Sequence, residues 1–292
     1  MHPFRFGVVA AFARSGDEWV AKARQVESLG YASLVVPDNL RHTLAPLPAL
    51  ATAAAATHTL RVGTYVLAND LRHPVLLAKD AATLDLLSGG RLELGIGAGR
   101  PNAADDYRML GLPFESGRVR MAHLSESLRV IKALLAGESV PGSPAEVSPR
   151  PAQQPRPPIL VAGSGPQMLA LAAREADIVA LGVAPTATEA DLAEKVTVVR
   201  EAAGSTDRFE QLELNINLMA VGDQVPRFIA TQMRLSADDL ARAGAISAVV
   251  GTADEMCETL QRRRDRLGIS YILVADELMQ GLAPVVERLA GH

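Results

Sequence analysis

Gly163-Ser164-Gly165-Pro166 lies between an apolar run and a helical pattern, which places its N–H groups and the Ser164 hydroxyl where a helix N-terminus can meet a phosphate. No lysine follows the turn, so it is not a P-loop. Gly97-Ala98-Gly99 ends another apolar run. Lacking a Cβ, its glycines let backbone approach a flat ligand or an anion closely, although a tight strand-to-loop turn uses the same residues with no ligand at all. Asp38 follows a third apolar run, where it can accept hydrogen bonds from a ligand or work as acid or base; a helix cap or an ion pair with Arg41 is the simpler account. His42, His73 and His123 have no metal-ligand spacing, and only His73, directly before Pro74, falls beside the other candidates. No Ser–His–Asp order, no aspartate and histidine metal cluster and no lysine in a Schiff-base setting stands out. A phosphate turn without a catalytic array of its own points to chemistry carried by a cofactor.

These residues need elements to hold them at one edge, and residues 61–100 read as strand, helix, strand. The runs 61–67 and 92–96 are apolar without alternation, as expected of parallel strands buried beneath helices. Between them, Val75, Leu76, Ala78, Leu84 and Leu87 share one side of a helix that opens at Pro74 and stops at Ser88-Gly89-Gly90. Asn69, Asp70, Arg72 and His73 follow the first strand, and the glycines with Arg100 follow the second. That edge, beyond the C-terminal ends of the strands, is where parallel α/β folds bind ligands.

The same unit recurs along the chain. Strands are expected at 4–10, 33–36, 61–67, 92–96, 159–162, 178–181, 212–221 and 271–274. Helices are expected at 17–29, 47–57, 74–87, 118–135, 167–174, 189–203, 252–267 and 282–289. Ser15 caps the first, and a capping box from Thr252 to Glu255 opens the seventh. Residues 101–117 read as a mixed loop, 225–244 as two short helices, and 137–158, with seven prolines, as a linker or exposed loop. Eight strand–helix pairs make an α/β fold of the (β/α)8, or TIM-barrel, type. An open doubly wound sheet is the alternative, and the count to eight argues against it.

The chain of 292 residues, 48% hydrophobic, is long enough to bury one such core. Its net charge of −4 gives no reason to expect a nucleic-acid partner. No apolar run is long enough to span a membrane, and residues 1–9 enter a strand with no leader ahead of them. The single cysteine, Cys257, excludes an intrachain disulfide and a cysteine zinc site, which fits the cytoplasm. Arginine outnumbers lysine about six to one, the codon usage of a GC-rich, actinobacterial genome.

Further motifs are specific as a set. They are Gly30-Tyr31 ahead of the strand reaching Pro37-Asp38, Leu60-Arg61-Val62-Gly63-Thr64, His73-Pro74 leading to Asp85 and Ser88-Gly89-Gly90-Arg91, and Leu94-Gly95-Ile96-Gly97-Ala98-Gly99. Arg118 with Leu124, Pro157-Pro158-Ile159-Leu160 before the phosphate turn, and Val250-Gly251-Thr252 complete it. With these the chain resembles the luciferase-like monooxygenase superfamily nearly end to end, and within it the coenzyme F420-dependent oxidoreductases. The resemblance implies one luciferase-like TIM-barrel domain over 1–292, with a flavin or deazaflavin at its C-terminal face. In F420-dependent relatives a bulge in strand three, often with a non-prolyl cis peptide, backs the ring; that matches Thr64, Tyr65 and Val66, with Ala68 and Asn69 beyond. Asp38, the Gly97-Ala98-Gly99 turn, and the phosphate turn of Gly163, Ser164 and Gly165 with Gly182 nearby match the remaining cofactor contacts. Two departures stand out. Sugar-phosphate dehydrogenase members carry a histidine and a glutamate where this chain has Asn39 and Arg100, and the insertion before strand five is short here.

What the resemblance then implies is a reductase in which reduced F420 delivers hydride to a C=C, C=N or C=O bond of a small or peptide-derived substrate. Arg100 is the candidate to stabilise an enolate-like oxygen, and His73, Tyr107 or Asp38 to supply the proton. Metal is not expected; a homodimer is, as relatives are commonly dimers. The alternatives are a flavin mononucleotide (FMN)-dependent monooxygenase, using the same phosphate turn, and a barrel that binds cofactor without turnover.

Overall fold

The computed structural model of the protein describes residues 2–140 and 148–292. Its strands, in chain order, are β1 (Arg5–Val9), β2 (Ser33–Val36), β3 (Arg61–Thr64), β4 (Leu67–Ala68), β5 (Leu92–Gly97), β6 (Ile159–Gly163), β7 (Ile178–Leu181), β8 (Glu213–Leu218), β9 (Ala220–Val221), β10 (Ala248–Val249) and β11 (Ile269–Ala275). The main sheet has the order β3-β2-β1-β11-β8-β7-β6-β5-β4, and β3 also pairs with β5. Since β3 and β4 are two pieces of one interrupted strand, this is the eight-stranded (β/α)8 barrel and not the open doubly wound sheet. The chain divides into two compact units, one of Met1–Ala10, Gln25–Leu34 and Ala162–His292, the other of Ala11–Arg24 and Val35–Val161.

In the first unit β1 pairs in parallel with β11, β11 with β8, and β8 with β7. Phe6, Val8, Ile216, Tyr271 and Leu273 are all buried, so both faces of these strands are covered and no alternation survives in the sequence. Polar groups among them are paired: the Tyr271 hydroxyl lies 2.6 Å from Ser33 Oγ, and Arg5 grips Glu213 through two 2.8 Å bonds while stacking 4.2 Å from the Tyr271 ring. The strand expected over 212–221 breaks at Met219 into β8 and β9. β9 pairs with β10, whose two residues are too few to carry a periodic signal. Together they floor a small separate core of Ala220, Ile229, Leu240 and Ala245. Over it lie a π-helical turn at Ile229–Met233 and a helix at Ala237–Arg242, the two short helices expected of 225–244. A further helix, Thr206–Gln211, capped by Ser205, was not legible in the polar sequence before β8.

In the second unit β5 is buried at every position and receives β3, β4 and β6 in parallel. Helices Pro74–Leu87 and Gly117–Ala136 pack on one another, and Ser116 and His73 cap their N-termini. The loop expected over 101–117 contains a short helix, Ala104–Met109, which the sequence hid because only Tyr107 in it is a large buried apolar side chain. The proline-rich stretch also departs from expectation. Residues 141–147 lie outside the described ones, but its end is no free linker. The Gln153 backbone N–H and side-chain amide donate to the fully buried Asp85 carboxylate at 2.8 and 2.6 Å, while its carbonyl oxygen accepts from Arg61 at 3.0 Å. Asp85 also accepts from Leu92 N–H, so one buried carboxylate ties this stretch to the start of β5.

Candidate cofactor site

The second unit holds the residues expected around a flat ring. β3 and β4 both pair with β5, but Gly63 stands opposite Glu93 and Leu67 opposite Ile96, so four steps on one strand face three on the other. The extra residue is a bulge at Thr64-Tyr65-Val66, and the Tyr65–Val66 peptide is cis, as the resemblance implies. The Thr64 hydroxyl bridges the gap, donating to Gly95 O at 2.6 Å and accepting from Gly95 N–H at 2.8 Å. A Cβ on Gly95 would lie 1.9 Å from the Thr64 carbonyl oxygen, so only glycine permits the two strands to approach here. Tyr65 N–H donates to Val36 O at 2.9 Å, and burial pushes the Tyr65 phenol well above its ordinary range, keeping it a donor.

Asp38 is nearly inaccessible and fully engaged. Its carboxylate takes both Arg72 Nη atoms at 2.6 and 3.1 Å and the Ala68 N–H at 3.1 Å, so it braces the turn after β4. The ion pair with Arg41 does not form; Arg41 faces Asp105 and Asp106 instead. With its oxygens taken by Arg72 and Ala68, Asp38 holds the backbone just after β4 in place. His73 is exposed and caps its helix, Nδ1 accepting from Val75 N–H at 3.3 Å. Arg100, half exposed, is drawn to Asp106 at 3.0 Å. Tyr107 is completely buried with its hydroxyl against Gly99 and its ring edge-on to Phe114 at 5.0 Å. The Tyr107 hydroxyl has no hydrogen-bond partner among the described residues, and burial pushes its pKa up. Ala68 and Gly97 end β4 and β5 opposite one another, and Asn69 and Ala98 follow them at the same edge.

The first unit holds the expected phosphate turn. Gly163 ends β6 and Gly165 is the N-cap of helix Pro166–Glu175, with no side chain capping its N–H groups. Gly163 O accepts from Gly182 N–H at 2.7 Å, which draws the end of β7 against the turn. A side chain at Gly163 would collide with Met168, 2.3 Å from its Cβ position. Sequence reasoning missed Lys195. From helix Glu189–Ala203 it donates to Ser164 O at 2.6 Å, which sets a cation beside a turn whose own motif has none. The signal is unreadable locally because the lysine stands 31 residues beyond the serine.

A cavity of about 590 Å³ in the first unit, lined by Arg200, Phe209, Leu212 and Arg264, lies instead at the N-terminal ends of β8 and β11. In barrels of this type that end serves stability. Among the described residues no His, Cys, Asp and Glu are grouped to hold a metal ion, and no helix is long and apolar enough to cross a membrane.

Comparison with known proteins agrees with the fold. The chain is 40% identical over 164 residues to an F420-dependent glucose-6-phosphate dehydrogenase of Beutenbergia cavernae, covering 52% of this chain and 48% of that one, so it spans about half the length of that relative. It is 27% identical over 293 residues to an uncharacterised protein of Mycobacterium tuberculosis, covering 90% and 96% of the two chains. Among solved structures, the coenzyme F420-dependent tetrahydromethanopterin reductase from Methanopyrus kandleri superposes with a TM-score of 0.76 at 17% identity, over 98% of this chain and 99% of that one. The family model described as luciferase-like monooxygenase matches residues 4–224, and on that match the chain belongs to the luciferase-like monooxygenase family.

Proposed function

We propose that the protein is a coenzyme F420-dependent reductase that transfers hydride to a C=C, C=N or C=O bond of a small or peptide-derived substrate. The observation that carries it is the bulge at Thr64-Tyr65-Val66, locked against β5 by the Thr64 hydroxyl and by the close approach that Gly95 permits, just before the edge where this fold binds its ligands. Its names among relatives support the cofactor, since the Beutenbergia dehydrogenase and the Methanopyrus reductase are both called F420-dependent. Bound deazaflavin supplies the hydride; the protein supplies position and charge. Thr64, Tyr65, Val66, Ala68 and Asn69 back the ring, with Asp38 and Arg72 keeping that backbone in place. Gly97, Ala98 and Gly99 continue that edge on the neighbouring strand β5. Gly163, Ser164, Gly165 and Gly182, with Lys195, take the phosphate.

Asn39 and Arg100 stand where the sugar-phosphate dehydrogenases of the family carry a histidine and a glutamate, which favours reduction over sugar-phosphate oxidation despite the name of the Beutenbergia relative. Arg100 remains the candidate to steady developing negative charge in the substrate, released from Asp106 by binding. The protein acts in the cytoplasm, as a homodimer.

Fluorescence titration with F420 and, in parallel, with FMN tests the reading. F420 is expected to bind far more tightly; a preference for FMN would assign the chain to the monooxygenases. Ser164→Asp is expected to weaken F420 binding by charge repulsion, and unchanged affinity would remove the turn from the site.

A further inference from the structure

Asp70 and His123 form a pair that the reading above does not use. Asp70 belongs to the 3-10 turn Asn69–Leu71 directly after β4, and its side chain is only 13% exposed. Its Oδ1 accepts from Asn69 Nδ2 at 3.0 Å and lies 3.4 Å from His123 Nδ1. His123 stands near the start of helix Gly117–Ala136, half exposed, and this helix packs on that turn. A neutral imidazole with its Nδ1 lone pair toward a carboxylate would be repelled. Nδ1 therefore carries the proton, leaving Nε2 as the atom that gives or takes one. A largely shielded carboxylate within 3.4 Å of the far nitrogen of an accessible histidine is the pairing that suits an imidazole to acid–base catalysis.

The surroundings belong to the same edge. The buried Tyr107 hydroxyl feels the Asp70 charge, which adds to burial in pushing its pKa up, while the Arg120 guanidinium opposes both. Arg120 is itself buried and stacks 4.1 Å from the Phe114 ring. His73, exposed and committed to capping, and Asp38, locked to Arg72, are less suited to proton transfer than His123.

We infer that His123 is the catalytic acid of the proposed reduction and Asp70 its positioning residue; the inference rests on the reductase reading. When hydride has been delivered to one end of the polarised double bond, the π electron pair collects on the other end. The donor is the ring protonated on both nitrogens: its Nε2–H bond breaks as the proton passes to that atom, the neutral Nδ1–H imidazole is left behind, and Nε2 takes its next proton from solvent. The substrate gains one hydride and one proton, and the reduced deazaflavin is the electron donor.

Two measurements decide it. Nitrogen-15 NMR of the cofactor-free protein, with His123 identified among its six histidines through His123→Gln, is expected to show the Nδ1–H tautomer, and Asp70→Asn to abolish that preference while Asp70→Glu keeps it. An Nε2–H tautomer in the wild type would overturn the pairing whatever the cofactor. In parallel, reoxidation of reduced F420 is followed with a panel of cyclic enones, imines and ketones. His123→Gln is expected to lower kcat about 100-fold with F420 affinity unchanged. Equal turnover by wild type and His123→Gln would sink the role alone. A wild type that binds no F420 would sink the reductase reading and the role with it.

Discussion

At the scale of single residues, two contacts make the sharpest claims. Gly95→Ala puts a methyl group 1.9 Å from the Thr64 carbonyl oxygen, a backbone atom that cannot swing aside, and 3.0 Å from Val66 Cγ1. We expect the largest loss of stability of any alanine substitution in β5, and a melting temperature near that of the wild type would contradict the bulge geometry. Arg72→Ala leaves the Asp38 carboxylate, 3% exposed, with only the Ala68 N–H, and should cost about 1–3 kcal/mol in urea unfolding. The sequence showed that Asp38 stands after a strand; it offered Arg41 as the partner because Arg41 is near in the chain. The true partner, Arg72, is 34 residues away, and nothing local encodes such a pairing.

Elements set the next level. The capping box read from Thr252 and Glu255 is present, and the backbone N–H and then the hydroxyl of Thr252 hold the Glu255 carboxyl below its ordinary range. A carboxyl lowered in the folded state contributes stability that is complete above its unfolded range and lost as pH falls through the folded value. Thr252→Ala removes the hydroxyl bond but keeps the backbone one, so its difference in melting temperature from wild type should be largest near neutrality and shrink in acid; a constant difference would mean that the hydroxyl–carboxylate bond contributes nothing. Helix Glu189–Ala203 does more than cover the sheet, since it carries Lys195 to Ser164. Lys195→Ala should weaken F420 binding while leaving the spectrum of bound cofactor unchanged, and full affinity would make the lysine merely a loop brace.

For the whole molecule, large apolar side chains are exposed mainly in the second unit, with Leu76 at 62% and Leu87 at 75% on helix Pro74–Leu87. The homodimer proposed here should sediment at twice the 30.9 kDa of one chain, and Leu76→Glu with Leu87→Glu should return it to the monomer. A monomeric wild type would leave those leucines without a role. The sequence by itself determined the barrel, its eight strands and the turns that follow them, because apolar runs, helix caps and glycine positions are local properties set by burial and backbone sterics. It also pointed to Thr64-Tyr65-Val66 and Gly163-Ser164-Gly165, through motifs that survive as contiguous residues. Only the tertiary structure decided the partners: Asp38 with Arg72, Ser164 with Lys195, Asp70 with His123 and Asp85 with Gln153. Each joins residues at least 31 positions apart in the chain, so the register of strands and the packing of helices, rather than any sequence pattern, bring their polar groups together.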